Sequence, residues 1–453
     1  MRKHPTDFHL EAFLLDQGEE GRSILFHLCE CERCRQRCKS LPPFRPAGIP
    51  GPEPIPPTPP LPNHRTLGFA AVLAQERSEA PELFVELIRR PVGARVSLVV
   101  SDPRFRTWGV LELLVERSLE TATRDPEEAE VLAGLALLLA DRLDAGFYSL
   151  EKLDDLRARA CGHLANARRV RSDLHGAEEA FASAYGHLRR GRMDPWDEAV
   201  LSDLEGSLRR DQRRFSDAFA LFRRAEELFR SAGDLHRAGR SLVKLSTVHY
   251  FAGEIEEAIS VLCRAVPLID PEVEPRLLLC AQHNLVDYLT IAGRIPEARR
   301  VYGETRGLYR DFSEPWVQNR RRWVRGRILR GLGKVELAES LFLAARDGFL
   351  AEGIPYDTAL VSLELATLYA ERGRSADLKR LSGEMLPVFS SLQIHREALA
   401  ALSFLKQAIE TEQAGLGLIT AVSDFLRRAQ HQPNLCFEAP DEALPRSNAS
   451  ENR

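Results

Sequence analysis

Residues 235–265 read LHRAGRSLVKLSTVHYFAGEIEEAISVLCRA, and this stretch decides the fold. Leu242, Leu245, Val248 and Phe251 recur at helical spacing up to Gly253. After that glycine, Ile255, Ala258, Ile259, Leu262 and Val266 form a second apolar face of the same period. The stretch is therefore two helices joined by a turn. The pairing of a turn glycine with a small or aliphatic residue five positions on returns every forty residues, at Gly253/Ala258, Gly293/Ala298, Gly333/Ala338 and Gly373/Leu378. Counting back forty from Ala258 reaches Ala218, and thirty-eight more reach Ala180. Prolines keep the register at Pro195, Pro275, Pro315 and Pro355, with Leu235 in place of one. Proline suits the first helical turn, where its missing N–H would have no intrahelical partner. Small residues recur at Gly206, Ser246, Gly326 and Ala366, and again at Ala225, Ala265 and Ala345, where helices must approach closely. A fixed period of this length marks a solenoid, and the prediction is an all-α array of antiparallel helix pairs.

The pattern resembles the tetratricopeptide repeat in a long form, over about residues 157–411. The resemblance implies a right-handed superhelix with a groove lined mainly by the first helix of each unit. Its groove positions fall here on Asp203, Arg210, Arg240, Tyr250, His283, Asp287, Arg320, Trp323, Arg327 and Arg330, with Asn284 and Lys244 beside them. Asn319–Arg327 holds the strongest local charge excess in the repeats. Guanidinium groups beside an aromatic ring suit an acidic peptide. The alternative is a solvated face whose arginines pair with neighbouring acids.

Four of the eight cysteines, Cys29, Cys31, Cys34 and Cys38, lie within ten residues. In a chain read as cytoplasmic, such clustering favours metal or redox chemistry over a disulfide framework. His27-x3-Cys31 sets two ligands one helical turn apart, and Cys31-x2-Cys34 lets the chain bend so that both thiolates reach one ion. Tetrahedral Zn2+ needs a fourth ligand, which His4, ahead of His9, supplies. A metal-free thiol switch is a second reading, and an iron–sulfur site on Cys29, Cys31, Cys34 and Cys38 a third.

His4-x22-His27-x3-Cys31-x2-Cys34 resembles the zinc-binding anti-sigma family of bacterial regulators, over about forty residues. The resemblance implies a small helical zinc module that grips a sigma factor, with His4, His27, Cys31 and Cys34 as metal ligands. Phe13–Gly18 stands where that family has an apolar helix and an Asp-Gly turn.

The remaining organisation follows from composition. Residues 41–65 form a proline-rich linker, with eleven prolines between 41 and 62, a composition that favours extended spacers. Residues 66–156 read as a helical capping region, in which Asp125-Pro126-Glu127-Glu128 is a strong helix start. Val96–Val100 is β-rich, but its helical context favours a helix. A C-terminal helix over 412–430 and a disordered tail over 431–453 complete the chain.

Function classes narrow accordingly. A formal charge of -4 gives no basic excess for nucleic acid. The longest apolar run, Val131–Ala140, is far short of the ~20 residues that span a membrane. No His-Glu-x-x-His, Gly-x-Ser-x-Gly or Gly-x-Gly-x-x-Gly occurs, and Gly331–Val335 lacks the spacing and the hydroxyl of a phosphate loop. The expectation is a cytoplasmic, non-enzymatic scaffold for a protein partner, either a sigma factor or an acidic peptide, carrying Zn2+. A peptide-sensing adaptor with purely structural zinc and a thiol or iron–sulfur redox sensor are the alternatives.

Overall fold

The computed structural model describes residues 4–6, 9–10, 21–40, 68–122, 124–391, 396–410, 415–429 and 437. The proline-rich linker, Phe13–Gly18 and the C-terminal tail apart from Phe437 lie outside them. The chain divides into two compact units, Met1–Asp234 and Leu235–Arg453. Both are built of helices. Among the described residues, no helix is long and apolar enough to cross a membrane.

The first unit opens with two short helices, α1 (Gly21–Glu30) and α2 (Glu32–Ser40), which meet at Cys31. Five helices follow without a fixed period: α3 (Phe69–Ile88), α4 (Val92–Ser101), α5 (Trp108–Thr121), α6 (Pro126–Ala140) and the single turn α7 (Ala145–Tyr148). The β-rich run Val96–Val100 lies inside α4, where Val96 and Val99, three apart, face the core. Helix α6 starts as its sequence requires. Asp125 accepts from the Glu128 amide, Pro126 occupies the first position, and Glu127 and Glu128 sit at the positive end of the helix dipole. Every residue from Ala129 to Ala140 is buried, so α6 is the central post of this unit. Helices α8 (Leu150–Val170) and α9 (Leu174–Arg190) pair tightly, and α10 (Pro195–Asp211) and α11 (Phe215–Ser231) form the next hairpin.

The second unit continues the same rhythm, with α12 (Leu235–Ala252), α13 (Ile255–Ala265), α14 (Pro275–Ile291), α15 (Ile295–Thr305), the short α16 (Leu308–Asp311), α17 (Pro315–Gly331), α18 (Val335–Ala351), α19 (Pro355–Glu371) and α20 (Ser375–Ser391). First helices thus begin at 195, 235, 275, 315 and 355, and second helices at 215, 255, 295, 335 and 375. Glycines 253, 293, 333 and 373 all take positive φ, between 64° and 84°, which ends the first helix of each pair at no steric cost. At the equivalent point one unit earlier, Arg213 adopts φ 62° without being glycine.

Packing within two of the pairs rests on a glycine facing a phenylalanine ring. A Cβ placed on Gly206 would lie 2.8 Å from the ring of Phe222, and one on Gly326 2.6 Å from the ring of Phe342. Both rings are fully buried. At the same two registers the other pairs carry Ser246 with Leu262, Val286 with Tyr302 and Ala366 with Ser382.

Two second helices stop early. Val266 was expected to continue α13, but the helix ends at Ala265 and passes into a 3-10 turn over Val266–Leu268. Pro267 explains this, since it brings no N–H and its ring crowds the carbonyl four residues back. Helix α15 ends at Thr305, between Gly303 and Gly307, both poor helix formers.

The last elements depart from simple stacking. Helix α21 (Arg396–Glu410) packs on α20, and α22 (Leu416–Ala429) packs on both α21 and α19. Four helices thereby close a ring around Ala366, Leu381, Leu402, Leu405, Ile419, Val422 and Leu426. This closure explains why α19 is buried at almost every position from Asp357 to Tyr369.

Candidate functional site

The chain bends at Cys31, the residue between α1 and α2, and the bend brings three cluster residues together. His27 projects from the last turn of α1, Cys31 stands at the break, and Cys34 from the first turn of α2 turns back. His4 closes the group from the preceding segment. The ligand atoms of His4, His27, Cys31 and Cys34 all lie within 4.8 Å of one another. Three edges are specific. His27 Nε2 is 3.3 Å from Cys34 Sγ, and His4 Nδ1 is 3.4 Å from Cys34 Sγ and 3.5 Å from Cys31 Sγ. Tetrahedral zinc, with Zn–S near 2.3 Å and Zn–N near 2.0–2.1 Å, requires sulfur and nitrogen about 3.6 Å apart. The donor set and its edges therefore fit a Cys2His2 ion. His9 stands outside the group, where its Nδ1 is 2.5 Å from the Thr6 hydroxyl.

Burial, followed by the neighbouring Cys31, pushes the Cys34 thiol up from its ordinary value, against an opposing pull from Arg37. Without a cation this sulfur is a buried thiol; a dication reverses the preference and holds it as thiolate. Two hydrogen bonds brace the ligand segments. Arg35 Nη1 donates to the Leu28 carbonyl at 2.9 Å, and Arg37 Nη1 donates to the Pro5 carbonyl at 3.1 Å.

The groove positions divide between the units. In the first, half-buried Arg210 pairs with Asp211 at 2.7 Å, and Asp203 is buried on α10. In the second, the arginines are tied to acids on, or just ahead of, neighbouring first helices. Arg320 meets Asp357 at 2.9 Å and Arg240 meets Glu274. Arg327, 8% exposed, bridges Asp287 on α14 and Glu364 on α19, the latter at 2.6 Å, and lies 4.6 Å from the centre of the Trp323 ring. Arg330 reaches Glu371 at 2.6 Å and Glu364 at 3.2 Å, and Arg427 of α22 stands 3.8 Å from the same Glu364. Burial alone would raise the Glu364 carboxyl, but the charges of Arg327, Arg427 and Arg330 outweigh it and hold the group below its ordinary range.

Aromatic and imidazole groups complete this inner face. Tyr250 stacks on Tyr288, with ring centres 4.6 Å apart and planes 11° apart. Burial pushes the Tyr250 phenol up, and the charges of Asp287, Arg427, Arg327 and Asp424 reach it, so the end of α22 lies close by. His283 is hydrogen-bonded to the Tyr309 hydroxyl at 2.7 Å, and burial lowers its pKa to about 4, so it is neutral at pH 7. Asn284 is half-buried on α14 beside it.

No family model and no curated protein matches the chain. Among solved structures, it is similar to a Rap protein crystallised with competence and sporulation factor, at 15% identity over 71% of this chain and 87% of that chain, with a TM-score of 0.49. It is also similar to aspartyl phosphate phosphatase F from Bacillus subtilis, at 13% identity over 87% of this chain and 96% of that one, with a TM-score of 0.47. At that distance no residue role carries across.

What the arrangement can do chemically follows from the side chains. The N-terminal cluster is a group of four side chains whose donor atoms could hold one metal ion. The inner face of the second unit brings Tyr250, Asp287, Trp323, Arg327 and Arg330 together, but its guanidinium groups already face carboxylates. Glu364 and Arg427, which join that network, were not singled out from sequence. The signal for Glu364 is spacing: Arg320 and Asp357, like Arg327 and Glu364, are 37 residues apart, close to one repeat; Arg427, on the closing helix, has no such signal.

Proposed function

We propose that this chain is a non-enzymatic scaffold of helical repeats that binds a protein or peptide partner, and that His4, His27, Cys31 and Cys34 hold a structural Zn2+. The observation that carries the metal reading is the set of sulfur–nitrogen distances, 3.3–3.5 Å, which matches the edges of a tetrahedral site. The scaffold reading rests on the helix pairs themselves, which offer extended surfaces of paired helices. Zinc supplies folding energy here rather than a reactive water, since four protein ligands close the coordination sphere.

The regulatory version, in which the metal module grips a sigma factor, is less well served. Ile24, Leu25 and Leu28, the apolar face of α1, are buried in the core of the first unit rather than offered outward. A redox sensor finds little support either. The described ligands include two imidazoles, and the Cys34 thiol is held protonated rather than activated when no ion is bound.

Elemental analysis of the full chain tests the metal reading. One zinc per chain is expected, lost in a Cys31→Ser, Cys34→Ser variant; visible absorbance with bound iron would overturn it. Copurification of both forms, probed for sigma factors, tests the partner. Retention only by the intact cluster would replace the structural reading with the regulatory one.

A further inference from the structure

Helix α2 buries little of its described side chains. Of its described side chains only Cys34 is buried; Arg33 and Gln36 are exposed, and Arg35 and Arg37 are half-buried. A nine-residue helix has no stability of its own in water. Its described ties include the ligand cluster and two arginines. Arg37 binds the Pro5 carbonyl next to His4. Arg35, which follows the ligand Cys34, reaches out of the module: its Nε lies 3.4 Å from Asp141 at the end of α6. Both side chains are only 12–13% exposed, and Arg157 of α8 holds the other oxygen of Asp141 at 3.0 Å. The same Arg35 caps the Leu28 carbonyl at the end of α1.

Helix α1 in turn packs on α4 and α6. Its Ile24, Leu25 and Leu28 share one buried core with Val96, Val99 and Leu135, and Cys34 itself belongs to that core. The ligand set, the Arg35–Asp141 pair and the apolar seat of α1 are therefore continuous.

We propose that metal occupancy at His4, His27, Cys31 and Cys34 latches α1 onto α4 and α6 through Arg35 and Asp141, so that loss of the ion loosens α1 from that seat. This rests on the zinc reading above. The ion fixes α2, α2 aims Arg35 at Asp141, and the pair seats α1. Without the ion, the buried thiol and the half-buried His27 remain beside an exposed His4 with only weak contacts to one another.

Hydrogen exchange by mass spectrometry on the full chain, with zinc content measured on the same sample, tests the latch. Chelation should raise exchange by roughly tenfold or more in 24–30 and also in 92–101 and 131–141, segments without ligands beyond His27. Arg35→Gln should keep one zinc per chain yet loosen 24–30 in the same way. Zinc bound at one per chain, with changes confined to 4–6 and 31–40 on its removal, would overturn the latch and leave the metal reading intact. Absence of bound zinc would overturn both.

Discussion

Replacing Arg327 with methionine separates an internal strut from a partner-binding residue. Its guanidinium is 8% exposed and touches Asp287, which is 27% exposed, and Glu364, which is 10% exposed. Removing one partner of a buried pair costs about 3–5 kcal/mol when the other charge is left alone. Glu364 would not be alone, because Arg330 at 3.2 Å and Arg427 at 3.8 Å remain, and Asp287 can turn to water. The expected loss is therefore roughly 2–3 kcal/mol at pH 7, below the full value for stripping a buried pair. The sign with pH is fixed. Glu364 is held below its ordinary 4.5, so its contribution is present above that value and lost as pH falls through the folded pKa. In the variant, burial dominates and the carboxyl rises, so the gap between the two proteins should narrow from pH 7 toward pH 4. Urea denaturation across that range reads both quantities. A change below about 0.5 kcal/mol, or one that ignores pH, would refute the strut. Adding Glu364→Gln to the variant should recover part of the loss, since a neutral group replaces an under-paired charge.

Gly326→Ala sets two effects of opposite sign against each other: helix propensity gains about 0.5–1 kcal/mol, while forcing a methyl into a filled core costs about 1–3. With that carbon 2.6 Å from the Phe342 ring, a net loss is expected in thermal or urea unfolding, and Phe342→Leu should partly restore stability in the double variant. Arg213→Gly should stabilise by roughly 0.5–1 kcal/mol, because a side chain at φ 62° carries a penalty glycine lacks; any loss would show that the contact of Arg213 with the Phe215 ring matters more. His4→Ala should weaken zinc binding by more than the roughly 10–100-fold typical of losing a residue that only hydrogen-bonds to a metal ligand, while His9→Ala leaves it unchanged, as measured by chelator competition.

The repeat was legible because its period is written in residues with fixed backbone roles. Pro275, Pro315 and Pro355 each occupy the first position of a helix, and Gly253, Gly293, Gly333 and Gly373 each take the left-handed turn. The clustering of four side chains near the N-terminus was legible for a related reason: a turn of helix and a bend fix His27, Cys31 and Cys34 locally, leaving His4 to come from elsewhere. The early ends of α13 and α15 were written in Pro267, Gly303 and Gly307, but the regular apolar spacing masked them.

The chemistry of the arginine-rich helix was harder to read, and the reason is physical. On a lone helix Arg320, Trp323, Arg327 and Arg330 look like an open receptor for carboxylates. In an array, each first helix stands beside the next, and a charge at one register faces whatever the following unit carries some 37 residues later. Asp357 and Glu364 occupy those places. The same spacing, 34–38 residues, ties Arg240 to Glu274, Arg276 to Glu314 and Arg294 to Glu256. In a helical solenoid, then, a cationic stripe must first be tested against acids one repeat away, and only cations left unmatched are candidates for a partner. Applied to α17, that test removes Arg320, Arg327 and Arg330: Arg322 and Arg325 are exposed, Arg322 meets the neutral Asn319 side chain, Asp357 is taken by Arg320, and among the described residues neither Arg322 nor Arg325 meets a carboxylate. An acidic peptide would accordingly be read at those two side chains and not at the buried network around Arg327.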